Sequence, residues 1–227
     1  MKKGMIYINY VFIDLEMNTF IGKNNHKCQE IIQIGAVKLN ENLEEIDSFD
    51  FLVKNSKKIS KEVLFLTKVC LDDLKKAENF EIVFNNFLNW LGEDYIVLAW
   101  SDNDLKQIKN EIKVKKILNN DKITYLLNHF YDFQKEFCDL LNLKSRVISL
   151  DLALSLVGFE FEGKRHNALF DARNTSYLYK ISRDKKNFKK EMENVKDILS
   201  KDKKEKNTIK DLIGADVLEN LKSKIKN

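Results

Sequence analysis

A run of apolar, β-branched and aromatic residues, IYINYVFI, occupies positions 6–13 near the start of the chain. A strand that is covered on both faces shows such a run, because both alternating sets of its side chains must be apolar. The run therefore predicts a strand in the interior of a sheet, with further elements packed on its two faces.

The segments that follow predict a mixed sheet with helices on it. The predicted elements are, in order, a β-hairpin (30–40 and 44–55), two helical turns (60–77), a strongly amphipathic helix ending at Gly92, a strand (96–100), a helix beginning at Ser101 or Asp102, a strand at ITYLLNHFYDF (123–133), a helix closing near Gly158 and a helix in NALFDARNTSYLYKIS. Early strands followed by alternating helices and strands are typical of the α/β class.

Basic charge is concentrated at the C-terminal end of the chain. The formal net charge is +4, and from Lys180 onward 15 Lys and Arg residues stand against 9 Asp and Glu residues. We predict a main domain over residues 1–183 and a lysine-rich helical extension over residues 184–227. Lysine-rich helices are usually solvated, and a contact with nucleic acid is the alternative.

Within this extension, the segment TIKDLIGADVLENLKSKIK places its apolar residues on one helical face. We expect that face to pack against the main domain. The alternative is that this amphipathic helix binds a protein partner or a second copy of the chain.

Composition argues against several classes of protein. The three cysteines are widely spaced and form no CxxC pair, so that neither a zinc cage nor a disulfide framework is predicted. No apolar stretch approaches the roughly 18–20 residues that a membrane span requires. Asn9 and Asp14 interrupt the apolar run near the start, which is unlike a signal peptide. We predict a cytoplasmic protein with reduced thiols and no membrane contact.

Two acids stand where burial is expected. Asp14 and Glu16 follow the apolar run, and at the two-residue period of a strand their side chains share one face. Like charges at the edge of a core are unfavourable unless something neutralises them, and a divalent cation with oxygen ligands would do so. The alternative is that both acids lie in solvent at the end of the strand.

Three further polar residues stand near predicted element ends. Asp104 follows the strand at 96–100, although an acid there is also ordinary in the first turn of a helix. His166 and Asp171 are five residues apart, which on one helix would turn them about 140° from each other. If they converge, His166 lies in the loop of Gly163–Arg165 and Asp171 lies in the helix that Asn167 caps.

The segments FIDLE, EIIQIGAV, AWSDND and HNALFDARNT occur in this order and resemble the motifs of the DEDDh family of 3′→5′ exonucleases. The resemblance covers residues from about 6 to 182, and GFEFEGKRHNALFDARN resembles the subgroup of exoribonucleases that trim small and stem-loop RNA ends. It implies a ribonuclease-H-like fold, with a mixed sheet of roughly five strands flanked by helices. It also implies hydrolysis of phosphodiesters from the 3′ end of single-stranded nucleic acid, with RNA favoured over DNA and nucleoside 5′-monophosphates released.

The same resemblance assigns roles to five residues. Asp14, Glu16, Asp104 and Asp171 would hold two divalent metal ions, Mg²⁺ or Mn²⁺, in a two-metal mechanism. His166 would be the general base that takes a proton from the attacking water.

Four neighbours of the motifs are candidates for substrate binding: Met17, Asn18, Trp100 and Asn103. Many members of the family have Thr or Ser where this chain has Asn18, and members of the RNA-trimming subgroup often have an aromatic residue where it has Asn103. These two departures concern details of substrate binding, because all five catalytic positions are filled.

Two alternative functions remain at this stage. One is a DNA-directed 3′→5′ exonuclease or a proofreading subunit of a DNA polymerase. The other is a nucleic-acid-binding module that keeps the fold without catalysing hydrolysis, and that uses the basic extension to bind its partners.

Overall fold

The apolar run near the start of the chain forms the middle strand of a five-stranded sheet. The structure is a computed structural model that describes residues 8–22, 25–141, 147–184 and 188. Its elements are β1 (Asn9–Ile21), β2 (Lys27–Leu39), β3 (Glu45–Leu52), α1 (Lys61–Thr67), α2 (Leu71–Lys76), α3 (Phe80–Leu91), β4 (Tyr95–Ala99), α4 (Asn103–Val114), α5 (Asp121–Asn128), β5 (Phe130–Asp132), α6 (Phe133–Leu140), α7 (Leu150–Leu156) and α8 (Ala168–Arg183).

The strands lie in the order β3-β2-β1-β4-β5. Strands β1, β2 and β3 pair antiparallel, whereas β4 is parallel to both β1 and β5. The five-stranded mixed sheet flanked by helices that the sequence predicts is therefore confirmed.

Strand β1 is longer than its apolar run indicates. It continues to Ile21, so that the prediction of a strand ending at the two acids is wrong. Its parallel pairing with β4 nevertheless stops at Ile13, opposite Ala99, and beyond that point β1 pairs only with β2. Asp14 therefore lies immediately past the carboxyl end of the parallel part of the sheet.

The segment 123–133 is not a strand along its whole length. Residues 121–128 form α5, whose N-terminus is capped by the Asn120 side chain accepting the backbone N–H of Ile123 at 3.0 Å. Ile123 and Leu126 are buried at helical spacing, and only Phe130–Asp132 pairs with β4. A short apolar run is compatible with either element, and here the capping residue before it favours the helix.

Helix α3 buries the apolar face that its sequence pattern predicts. Its buried positions follow the helical repeat, and the Asn79 side chain accepts the backbone N–H of Ile82 at 3.1 Å to cap its N-terminus. Six buried side chains form this face: Phe80, Val83, Phe84, Phe87, Leu88 and Leu91. They belong to one core cluster together with Ile13 of β1 and Val97 of β4.

The chain divides into two compact units. The first comprises Met1–Phe133 and Glu162–Ser176, and the second comprises Gln134–Phe161 and Tyr177–Asn227. All five strands and all five candidate catalytic residues lie in the first unit. The predicted boundary at residues 183 and 184 stays a prediction, because apart from Asp184 and Phe188 the proposed extension and its amphipathic segment lie outside the described residues.

Inside the second unit, buried apolar residues from α6 and α7 include Phe137 and Leu152. The Gln134 side chain donates to the carbonyl of Ile148 at 2.6 Å, and Arg183 pairs with Glu136 at 2.7 Å. Helix α6 was not predicted from the sequence. Among the described residues, no helix combines the length and the hydropathy of a membrane-spanning segment.

Removing the Phe84 side chain is expected to destabilise the first unit strongly. This ring is fully buried and stacks with Phe80 at a centroid distance of 5.1 Å. We expect Phe84→Ala to lower the free energy of unfolding by about 3–5 kcal/mol in urea titrations. Ile82→Ala, on the exposed side of the same helix, is the control and should change it by no more than about 0.5 kcal/mol. Equal losses in the two variants would contradict this placement of the core.

Candidate active site

Asp14 and Glu16 project from the same face of β1. Leu15 between them is buried, whereas both acids are half-buried. In the ladder with β2, Asp14 lies opposite Gly35 and Glu16 lies opposite Gln33. Because directly opposed residues of an antiparallel pair point to the same side, these four positions line one patch of the sheet.

Asp171 reaches this patch from α8. One carboxylate oxygen from each of Asp14, Glu16 and Asp171 lies within 4.8 Å of the other two. The first turn of α8 is ordered by two local hydrogen bonds: the Asn167 side chain accepts the N–H of Phe170 at 3.3 Å, and Asp171 Oδ2 accepts the N–H of Asn167 at 3.1 Å. The second bond fixes the orientation of the aspartate carboxylate relative to its own helix.

Asp104 comes from the first turn of α4 and is buried. The backbone N–H of Leu15 hydrogen-bonds its carboxylate, which places Asp104 beside the residue that separates Asp14 from Glu16. A polar stripe on the same face of α4 continues this contact with the sheet. Gln107 donates to the carbonyl of Gln29 at 3.1 Å, and the Glu111 carboxylate accepts the N–H of Ile31 at 2.9 Å.

Burial and mutual repulsion disfavour the ionised forms of these acids. Burial raises the pKa of Asp14 well above its ordinary value, and the charge of Asp104 is the largest electrostatic contribution to that rise. Burial, followed by the charge of Asp171, raises the pKa of Glu16 to about 8. Burial also raises the pKa of Asp104 to about 7, although backbone N–H groups that donate to its carboxylate oppose the rise. Such a group of acids favours a bound cation.

His166 lies in the loop before α8, as the five-residue spacing predicts. Its φ of 58° is in the left-handed region, and its side chain is exposed. Gly163 begins this turn with a φ of +88°, and a Cβ atom there would lie 2.1 Å from the ring of Phe170. The loop therefore depends on a glycine to pack against the first turn of the helix that carries Asp171.

Two of the predicted substrate-binding residues lie in a groove. Met17 and Asn103 line it together with polar and basic side chains, and its volume is about 450 Å³. The other lining residues are Gln29, Lys106, Gln107 and Asn110. Met17 and Asn103 are the chain neighbours of Glu16 and Asp104, so the groove is lined by residues adjacent in sequence to two of the acids.

The structure does not bring Asn18 and Trp100 to this groove. Asn18 is fully buried, and its amide donates to Glu30 at 3.1 Å and accepts the backbone N–H of Ser60 at 3.3 Å. Trp100 is 8% exposed and packs edge-on against Phe133. Asn18 is instead covered by the segment before α1, because its amide also donates to the carbonyl of Lys58 at 3.2 Å. The pairing of β1 with β2 shifts by one residue just before it, between Glu16 and Met17, where Ile32 of β2 is the additional residue.

Sequence reasoning missed Gln33 and Gly35 of β2. Gln33 is buried and hydrogen-bonds the first residue of α8, and Gly35 lies against the backbone of the same turn. A signal was present, because a glycine inside an apolar strand marks a close approach of another part of the chain.

Comparison with known proteins identifies relatives across most of the chain. A family model described as Exonuclease (RNase_T) matches residues 11–179. The human protein ERI1 exoribonuclease 2 is 27% identical over 210 residues, which is 81% of this chain and 30% of that protein. The PolC-type DNA polymerase III of Thermotoga maritima is 29% identical over 159 residues, which is 67% of this chain and 10% of the polymerase. The chain thus spans less than a third of each of these two relatives.

Solved structures share the fold. The nuclease domain of 3′hExo, described as a DEDDh family member and bound to rAMP, superposes with a TM-score of 0.68 at 21% identity, over 81% of this chain and 95% of that domain. An E. coli ExoI–ssDNA complex superposes with a TM-score of 0.59 at 17% identity, over 80% of this chain and 42% of that protein.

Without a divalent cation, the protein is expected to lose stability as the pH rises from about 4 to about 8. Carboxylic acids of the unfolded chain titrate near pH 4, whereas in the folded state the pKa of Glu16 is about 8 and the pKa of Asp104 is about 7. Between these values the folded state binds more protons than the unfolded state, so the free energy of unfolding falls. Thermal unfolding in EDTA at pH 5 and pH 8.5 measures this change.

Two variants test whether the crowded acids cause this loss of stability. Glu16→Gln cannot ionise, and we expect its melting temperature in EDTA at pH 8.5 to exceed that of the wild type by at least about 2 °C. Glu93→Gln removes an exposed carboxylate instead and should follow the wild type. A wild-type melting temperature that does not fall between pH 5 and pH 8.5 would contradict the crowding of the acids.

Proposed function

Because the chain belongs to the exonuclease family, whose model matches residues 11–179, we propose that it is a metal-dependent 3′→5′ exonuclease. It removes nucleotides from the 3′ ends of single-stranded nucleic acid, with RNA preferred to DNA, and releases nucleoside 5′-monophosphates. The observation that carries the proposal is the convergence of Asp14, Glu16 and Asp171, with carboxylate oxygens within 4.8 Å of one another.

These acids fit a divalent cation. Oxygen ligands bind Mg²⁺ at about 2.0–2.1 Å and larger divalent ions at up to about 2.6 Å, so ligands on opposite sides of an ion are about 4–5 Å apart. The separation in the oxygen cluster falls within that span. Burial and the charges of the neighbouring acids raise the pKa values of Asp14, Glu16 and Asp104, and a bound cation would offset both effects. Two Mg²⁺ or Mn²⁺ ions, when bound, would stabilise the charge on the attacking and leaving oxygens of the phosphodiester.

Each acid has a proposed role, which the resemblance to the family implies. Asp14, whose pKa is raised by the charges of the other three acids, would contact both ions. Glu16 and Asp171 would hold the ion on the side of the nucleophile, and Asp104, whose carboxylate is already hydrogen-bonded by the Leu15 backbone, would support the other ion. Because β1, α4 and α8 each contribute a ligand, the site is complete only when these elements are packed together.

His166 is the proposed general base. An imidazole can accept a proton from water at neutral pH, and its exposed position lets it pass that proton on to solvent. Its place on a loop, outside the helix that carries Asp171, leaves it free of the helical spacing that would turn the two side chains apart. We therefore assign it to proton transfer and not to metal binding.

The groove beside Asp104 is the proposed path of the substrate strand. Met17 offers an apolar surface to a base, and Asn103, Gln107 and Asn110 offer amide groups. Lys106 is the basic residue in the lining and can contact a phosphate. With Asn103 in place of an aromatic residue, recognition of a base would rely on hydrogen bonds more than on stacking.

The preference for RNA rests on the relatives. The match to a human exoribonuclease covers more of the chain than the match to the DNA polymerase III, 81% against 67%. The polymerase match keeps a DNA-directed activity as the second candidate.

Loss of either an acid or the histidine is expected to abolish or reduce hydrolysis. With single-stranded RNA labelled at its 5′ end and Mn²⁺ present, the wild-type protein should produce a ladder of shortened products. Asp14→Asn should remove detectable activity because a proposed ligand to both ions is lost, and His166→Ala should lower kcat by about 10²–10⁴-fold. Glu93→Gln is the control. EDTA should stop the reaction, and activity that survives both substitutions would contradict the assignment.

Substitution of Lys106 tests whether the substrate strand follows the groove. We expect Lys106→Ala to raise KM and to lower the slope of log affinity against log salt concentration by about 1, because one phosphate contact is lost. Lys109→Ala removes an exposed lysine one turn further along α4, outside the groove lining, and serves as the matched control. The same salt slope in Lys106→Ala and in the wild-type protein would exclude this path.

A further inference from the structure

The first turn of α8 rests on β2 next to the acidic cluster. Helix α8 begins at Ala168, three residues before Asp171. The two residues of β2 beneath this turn are Gln33 and Gly35, which lie opposite Glu16 and Asp14 in the β1–β2 ladder. Strand β2, which pairs with β1 at the two acids, therefore also supports the helix that carries Asp171.

Gly35 allows an unusually close approach. A Cβ atom added there would lie 2.1 Å from the backbone nitrogen of Leu169 and 2.2 Å from the carbonyl carbon of Ala168. Both atoms belong to the helix backbone, so no side-chain rotation could relieve the contact. Any residue larger than glycine would have to displace the start of α8 away from the sheet.

Gln33 fixes the same turn by hydrogen bonds. Its Oε1 accepts the N–H of Ala168 at 3.3 Å, which satisfies one of the amides that a helix leaves unpaired at its N-terminus. Its Nε2 donates to Oδ1 of Asp50 at 2.7 Å. Since the Asp50 carboxylate can only accept and the helix amide can only donate, the two contacts determine which way the Gln33 amide is turned.

We propose that Gln33 and Gly35 are positioning residues, which set the height of α8 above the sheet so that the Asp171 carboxylate meets those of Asp14 and Glu16. The proposal rests on the proposed function for its activity readout. The helix could begin without these contacts, because Asn167 already caps its first turn. The close approach is needed to bring the carboxylates together, not to form the helix.

The contacts predict a graded set of variants. Gly35→Ala should lower kcat by about 10²-fold, because a displacement of about 1 Å in a catalytic group has an effect of that size. It should also weaken Mn²⁺ binding by about 10–100-fold, as loss of the groups that orient metal ligands typically does. KM should change by less than about threefold, because the groove residues on α4 are untouched.

Asp50 provides a milder test that leaves the core intact, because its side chain is exposed. Asp50→Ala frees the Gln33 amide to turn and should weaken Mn²⁺ binding about tenfold, at the low end of such effects. Asp50→Asn keeps an oxygen that can accept from Gln33 and should restore binding to within about twofold of the wild type. This pair decides the question even if Gly35→Ala fails to fold.

The matched control is Gly92→Ala. Gly92 has a φ of +78°, so alanine strains its backbone, but no atom lies within 4 Å of the added Cβ. We expect a lower melting temperature with Mn²⁺ affinity and kcat within about twofold of the wild type, since such strain acts on stability and leaves α8 in place.

The experiment is calorimetric titration of each variant of the 227-residue chain with Mn²⁺, with single-stranded RNA hydrolysis measured in parallel. Wild-type Mn²⁺ affinity in folded Gly35→Ala, or equal affinity in Asp50→Ala and Asp50→Asn, would overturn the positioning role. A wild-type protein that binds Mn²⁺ but hydrolyses neither RNA nor DNA would instead refute the proposed function, and the Mn²⁺ affinities of the variants would still decide the positioning role.

Discussion

Repulsion among four carboxylates at least half removed from solvent is the constraint on which the rest of the site depends. Asp14, Glu16, Asp104 and Asp171 come from three different elements, and burial together with mutual charge raises the pKa of the first three. Ionised acids in such surroundings push apart the elements that carry them. The other polar contacts of the site hold β1, α4 and α8 together against this repulsion.

Each helix is secured to the sheet by its own set of polar contacts. Helix α4 uses Gln107 and Glu111, which bond backbone groups of β2, while Asp104 accepts from the backbone of β1. Helix α8 uses the N–H of Ala168 and, further along, Arg173, which forms an ion pair with Glu45 at 2.9 Å. The elements that carry the acids are thereby held to the sheet by polar contacts distinct from the acids' own interactions with one another.

Local spacing allowed much of this arrangement to be predicted. The two-residue period of a strand places Asp14 and Glu16 together. A loop at His166 followed by a helix with Asp171 was expected if the two side chains converge, and the structure has this loop and this helix. The motifs also identified the family, which the family model confirms over residues 11–179. The catalytic roles of the five residues stay predictions.

What could not be predicted depended on one local cap and on contacts distant in sequence. The segment 123–133 is apolar enough for a strand, and its helical start depends on the cap at Asn120. Asn18 is buried because Glu30 and the backbone of Lys58 and Ser60 cover it, and these residues are 12 to 42 positions away in the chain. Gln33 accepts the N–H of Ala168, which lies 135 residues further along the chain. This contact can be recognised only from the packing of the helix on the strand.

The register shift also divides the β1–β2 ladder into two stretches that pair in different registers. Up to Glu16 the strand pairs with β2 in one phase, and from Met17 to Ile21 it pairs in another, with Ile32 as the additional residue between them. A change in length at the hairpin end, where Gly22 bonds to His26, would alter the phase of the outer stretch and could be absorbed at the irregularity. The turn between β1 and β2 could therefore be lengthened, shortened or replaced by a grafted loop without changing the register of Asp14 and Glu16 with β2.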